Sequence, residues 1–148
     1  MKLALVELVR IPALALAAFL GFSEVVRGNA TEEIHHVGCA EARVIATDHV
    51  RVGQTASIDV ELRNASSGAC DVVVTLSTDY AAGWDSVSML PEPTDEWTVR
   101  FSDLGPGEQR LVALELRTER LGERHGELVI EADREVALHL PLHTSVSR

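Results

Sequence analysis

An all-β antiparallel sandwich of seven or eight strands, preceded by one N-terminal transmembrane helix, is the fold this sequence predicts. Three observations carry the expectation. Apolar and polar residues alternate with period two in short runs between Glu41 and Leu142, as in strands with one buried and one wet face. Turn-forming clusters separate the runs at Asn64-Ala65-Ser66-Ser67-Gly68, Gly105-Pro106-Gly107 and Asp133-Arg134. Residues 3 to 22 are almost continuously apolar.

The apolar segment comes first. It reads LALVELVRIPALALAAFLGF, with no charge from Ile11 to Phe22. Extended to Val26, a helix here is about 36 Å long at about 1.5 Å per residue, enough for a bilayer core of about 30 Å. A cleaved signal peptide and a retained signal anchor both fit the pattern: Lys2 is a positive n-region, and Gly28-Asn29-Ala30 offers small residues for a cut. The expectation is the anchor, over residues 1–27. Lys2 and Arg10 lie before or early in the span, and Glu24, Arg27, Glu32 and Glu33 follow it. That bias places the N-terminus in the cytoplasm and the remainder outside. Glu7 and Arg10 are three apart and share a helix face. They either snorkel to the headgroups or face another transmembrane protein. No His, Asn or Gln lies between residues 1 and 28, so the segment offers no ligand for a haem or chlorophyll metal.

Residues 28–38 (GNATEEIHHVG) lack an apolar period and read as a linker. The sandwich is expected over 39–148. Its first strand places Ala42, Val44 and Ala46 against Glu41, Arg43 and Ile45, followed by a short continuation at Val50 and Val52. Ile58, Val60 and Leu62 form the next face, then Val72, Val74 and Leu76. Further faces hold Trp97, Val99 and Phe101; Val112, Leu114 and Leu116; Leu128, Ile130 and Ala132. The last holds Val136, Leu138, Leu140 and Leu142, with Pro141 pointing this strand to a sheet edge. No helical stretch separates the runs, which excludes parallel βαβ units. Cys39 precedes the first strand and Cys70 follows the second. A hairpin of those two strands brings both thiols to one pole, so a disulfide is expected there.

The core must be aliphatic. The chain of 148 residues is 46% hydrophobic but only 4% aromatic. Its formal net charge of -10 disfavours polyphosphate, so nucleic acid is not an expected partner. Lys2 is the only lysine, a bias we read as that of a GC-rich bacterial genome.

Three runs carry a family likeness: VELRNASSGACDVVVTLSTDYAAGW, FSDLGPGEQRLVALELRT and HGELVIEADREVALHL. Together they resemble bacterial immunoglobulin-like accessory domains, such as those associated with α-galactosidases and the C-terminal domain of FixG-type oxidase accessory proteins. The shared features are Asn64 ending a strand, Trp84 after the next, and Leu104-Gly105-Pro106-Gly107-Glu108 before another. The resemblance implies an Ig-like sandwich with a binding or structural role. The FixG-type cysteine cluster is missing, so metal-cluster chemistry does not carry over.

Chemistry is sparse. There is no G-x-S-x-G elbow, and an enzyme is not expected. His35, His36 and Cys39 form an HHxxC group, a weak metal candidate that a disulfide at Cys39 would remove. His139 and His143 are about 13 Å apart along a strand and cannot share an ion. Acidic positions Asp79, Asp85, Glu92, Asp95 and Glu96 match no calcium loop. Tyr80 and Trp84 are either an exposed contact patch or a plug for the end of the core. No cofactor is expected. The expected role is an accessory subunit of an integral-membrane complex of respiratory or photosynthetic type, at the bacterial inner membrane with its sandwich in the periplasm. Its partners are other membrane subunits and the bilayer. The alternatives are a free-standing anchored module that binds protein or glycan, and a metal-handling assembly factor.

Overall fold

The computed structural model describes residues 30–148. The expected span over 1–27, with Glu7 and Arg10, lies outside the described residues. Among the described residues no helix is long and apolar enough to cross a membrane.

Two five-stranded sheets pack face to face. The first contains β1 (Ala30–Val37), β2 (Ala40–Thr47), β4 (Ala56–Asn64), β6 (Ser86–Leu90) and β8 (Gln109–Arg117), ordered β1-β2-β4-β8-β6. The second contains β3 (His49–Arg51), β5 (Cys70–Leu76), β7 (Thr98–Leu104), β9 (Gly122–Ala132) and β10 (Val136–Ser147), ordered β3-β10-β9-β5-β7. One short helix, α1 (Thr78–Ala82), bridges β5 and β6.

The strand order identifies the topology. Seven strands in chain order (β2, β4, β5, β6, β8, β9, β10) correspond to immunoglobulin strands A to G. The first, second, fifth and fourth form one sheet, and the seventh, sixth and third form the other, as in that fold. The additions are β1 outside β2, β7 outside β5, and β3, which runs parallel to the end of β10 through Ser145↔His49 and Ser147↔Arg51.

Period-two alternation drives the packing. In β4 every second residue is buried: Ala56, Ile58, Val60, Leu62 and Asn64. Val72, Val74 and Leu76 of β5 and Leu128 and Ile130 of β9 face them across the core, while Val112, Leu114 and Leu116 of β8 line the same side as β4. Burial of each such side chain stabilises by about 1.5–3 kcal/mol, so an aliphatic core suffices. Pro141 pairs with Glu127 on one side, while β3 reaches only Ser145–Ser147 on the other. The proline therefore stands where β10 is an edge, as a residue without an N–H requires.

The structure differs from the sequence reading at three places. Residues 30–37, expected within a linker, form β1. Their side chains are largely exposed on both faces, so hydrogen bonding to β2 rather than burial makes this strand. Gly38, at φ 54°, is the first residue of the tight turn into β2, a conformation that glycine adopts freely. The strand β6 and the helix α1 are the other two.

One pole is tied by covalent and polar bonds. Cys39, in the β1–β2 turn, is disulfide-bonded to Cys70 at the start of β5, joining the two sheets with Cα atoms 5.9 Å apart. Beside it Asn64 is fully buried. Its Nδ2 donates to the carbonyls of Gly68 (2.7 Å) and Leu104 (2.8 Å), and its Oδ1 accepts from the Ser66 N–H (2.8 Å) and hydroxyl (2.7 Å). The Asn64 amide is thus spent on structure. Asn64→Ala is expected to cost about 2–3 kcal/mol, because it orphans buried carbonyls; a urea midpoint unchanged from wild type would contradict this role.

Candidate functional site

At the opposite pole α1 folds over β9. Ser77 caps the helix, and its Oγ accepts from the N–H groups of Tyr80 (3.4 Å) and Glu127 (3.0 Å). Tyr80 and Trp84 are 1% and 5% exposed. They are therefore the plug and not an exposed contact patch, because α1 turns both rings inward, 5.9 Å apart. Thr144 Oγ1 donates to the Thr47 carbonyl (3.0 Å), so the Tyr80 hydroxyl donates to Thr144 (2.7 Å). This relay connects α1, β10 and β2. Burial pushes the Tyr80 phenol above its ordinary pKa.

Arg124, buried on β9, completes the plug. Its Nε donates to the Gly83 carbonyl (2.5 Å) and its Nη2 to the Arg120 carbonyl (2.7 Å), and its guanidinium lies 5.8 Å from the centre of the Trp84 ring. Asp85 sits outside this layer. It accepts from the Glu119 N–H (2.8 Å), Thr118 Oγ1 (3.1 Å) and Arg120 Nε (3.0 Å). The backbone bond foremost holds its pKa below the usual carboxylate range.

The HHxxC group does not converge on an ion. His35 and His36 are consecutive in β1, so they point to opposite faces. His35 Nε2 meets Glu33 at 2.8 Å and His36 Nε2 lies 3.7 Å from Glu41. Cys39 is in the disulfide. Potential ligand atoms of Cys39, Cys70 and Asp133 lie within 4.8 Å of one another, but both sulfurs are bonded to each other.

The outer face of the first sheet carries a feature that sequence alone does not assemble. Register aligns Ile45 of β2, Asp59 of β4, Ala113 of β8 and Leu90 of β6 in one row. Leu111 lies beside it, opposite Glu61. Leu90 is 64% and Leu111 51% exposed. Glu32, held by Arg43 at 2.7 Å, puts alternate residues of β1 on this face, adding exposed Ile34. The row places apolar side chains around Asp59. Burial, then the neighbouring charges of Glu61 and Glu115, raise its pKa from 3.8 to about 6.

A raised carboxyl pKa means that the folded state binds the proton more tightly than the unfolded chain. Stability associated with Asp59 is therefore full below 3.8 and is lost as pH rises through about 6. Asp59→Asn is expected to stabilise the protein at pH 8 by about 1–2 kcal/mol, after discounting for partial exposure. The gain should vanish at pH 3.5. Paired urea titrations of wild type and variant check this, and a pH-independent difference would contradict it.

Neither a protein-family model nor a curated protein matches the chain. Solved structures do, at low identity. The PapD-like domain 7 of human CEP192 is similar at TM-score 0.43 and 11% identity, over 99% of this chain and 96% of that one. The PKD domain of an M14-like peptidase from a Thermoplasmatales archaeon gives 0.40 and 9%, over 80% and 100%. SSP-19, an MSP-domain protein of Caenorhabditis elegans, gives 0.40 and 11%, over 68% and 94%. The Ig-like assignment rests on the strand order above.

Proposed function

We propose that this protein is a non-enzymatic, membrane-anchored accessory subunit of a larger integral-membrane complex, with its Ig-like sandwich on the extracytoplasmic side. The observation that carries this reading is the apolar row Ile45–Ala113–Leu90, flanked by Leu111, on the solvent face of a sheet whose other outward residues are mainly charged or polar. Two leucines more than half exposed beside one another on a sheet face are what a docking face presents.

Charge indicates the partner's chemistry. Asp59, Glu61 and Glu115 lie within or beside the row, so the occupant is a subunit presenting an apolar ridge with an arginine or lysine opposite Asp59. The disulfide supports an oxidising compartment, and the apolar segment before residue 28 supports a tether. Within this reading the domain is of the bacterial Ig-like accessory type, and its host is a respiratory or photosynthetic assembly.

The test is a full-length Leu90→Glu/Leu111→Glu variant purified from native membranes in mild detergent. Loss of the co-purifying subunits, with the circular dichroism and urea midpoint of the sandwich retained, is the expected outcome. Full retention of those subunits would overturn the assigned face.

A further inference from the structure

We infer that His125 and His143 form a binding site for one divalent transition ion of the Zn²⁺ and Cu²⁺ class, with Glu123 as its positioning residue. The two histidines are direct cross-strand partners on β9 and β10. Both lie on the exposed outer face of the second sheet, with ring centroids 4.7 Å apart. With one nitrogen of each ring turned toward the other, the pair has the spacing of two ligands to one ion. At a metal–nitrogen bond of about 2.0–2.1 Å, each imidazole centroid stands roughly 3.2 Å from the metal, so two rings at 90–109° lie about 4.5–5.2 Å apart.

The neighbouring groups prepare His143 for this role. Glu123, two residues before His125, meets His143 Nε2 through Oε1 at 2.5 Å. In the neutral tautomer that donates Nε2–H to this carboxylate, Nδ1 has the lone pair that a metal needs. Ser145, opposite Glu123 in the register, donates its hydroxyl to Glu123 Oε2 at 2.9 Å. The chain Ser145–Glu123–His143 is the carboxylate–histidine arrangement that orients a metal-bound imidazole. Two imidazoles with the remaining positions left to water suit Cu²⁺ and Zn²⁺ and discriminate against Ca²⁺ and Mg²⁺, which prefer oxygen. His139, on the same face of β10 and paired with Glu127 at 3.3 Å, is about 13 Å away along the strand and takes no part.

Calorimetric titration of the full chain in mild detergent with Zn²⁺, and separately with Cu²⁺, tests the site. One saturable ion per chain is expected, lost in His125→Ala and in His143→Ala and retained in the His35→Ala/His36→Ala double variant. Electron paramagnetic resonance of the Cu²⁺ form should show two nitrogen donors. Glu123→Gln should weaken binding about tenfold while leaving the metal-free urea midpoint in place. No saturable binding to wild type, binding unchanged in both single histidine variants, or binding lost with His35 and His36 would each overturn the proposal.

Discussion

Gly126→Ala is expected to destabilise the sandwich by at least about 3 kcal/mol and to displace α1. A Cβ at Gly126 would stand 2.3 Å from Tyr80 Cβ, 2.6 Å from Ser77 Oγ and 3.1 Å from Tyr80 Cα. Two of these three atoms belong to the Tyr80 backbone or lie next to it, so no side-chain rotation relieves the overlap. Only lifting the helix does. That movement breaks the Tyr80–Thr144–Thr47 relay and the Ser77 cap, and it uncovers the Trp84 ring. Gly68→Ala is the control, because a Cβ there meets nothing within 4 Å. Urea midpoints and near-ultraviolet circular dichroism of the two variants measure the contrast. Equal midpoints would mean that α1 does not pack as closely on β9 as described.

Loss of the disulfide is the second large effect. The bond closes a loop with a sequence separation of 31, for which chain entropy predicts about 3–4 kcal/mol. Cys39→Ala, Cys70→Ala and the double variant should therefore all fall by a similar amount, since either single change removes the whole bond. Cys70 is fully buried while Cys39 is partly exposed, so attack by a reductant begins at Cys39 Sγ. Asp133 Oδ2 lies 3.1 Å from that sulfur and repels an incoming thiolate. Asp133→Asn should accordingly speed reduction by dithiothreitol. A double variant with the wild-type urea midpoint would show that the bond adds nothing to stability.

The architecture was legible in the sequence wherever burial made a period. The β4 and β5 alternation, the turns at Asn64 and Asp133, the shared pole of the cysteines and the edge position of Pro141 all follow from local pattern. Two missed strands, β1 and β6, are the two edges of the first sheet. Strands such as ATEEIHHV bury little, and their existence depends on a neighbour's hydrogen bonds, which leave no mark in hydropathy. The inward phase of Leu128 and Ile130 runs back to Arg124, so its charge has to be satisfied inside. The apolar row and the His125–His143 pair were not legible. Each joins residues from different strands, and a one-residue change of register would disperse either. His125 and His143 are eighteen positions apart and become neighbours only through the β9–β10 pairing.

We propose that this sandwich is a fixed subunit held in the membrane by its N-terminal segment. Native mass spectrometry of the protein extracted from its own membranes in mild detergent tests that claim most directly, with the intact mass of the chain measured in the same run. The expected result is a chain that retains residues 1–27 and travels with the same partner subunits in constant stoichiometry. A chain beginning near Thr31 and recovered alone would contradict it.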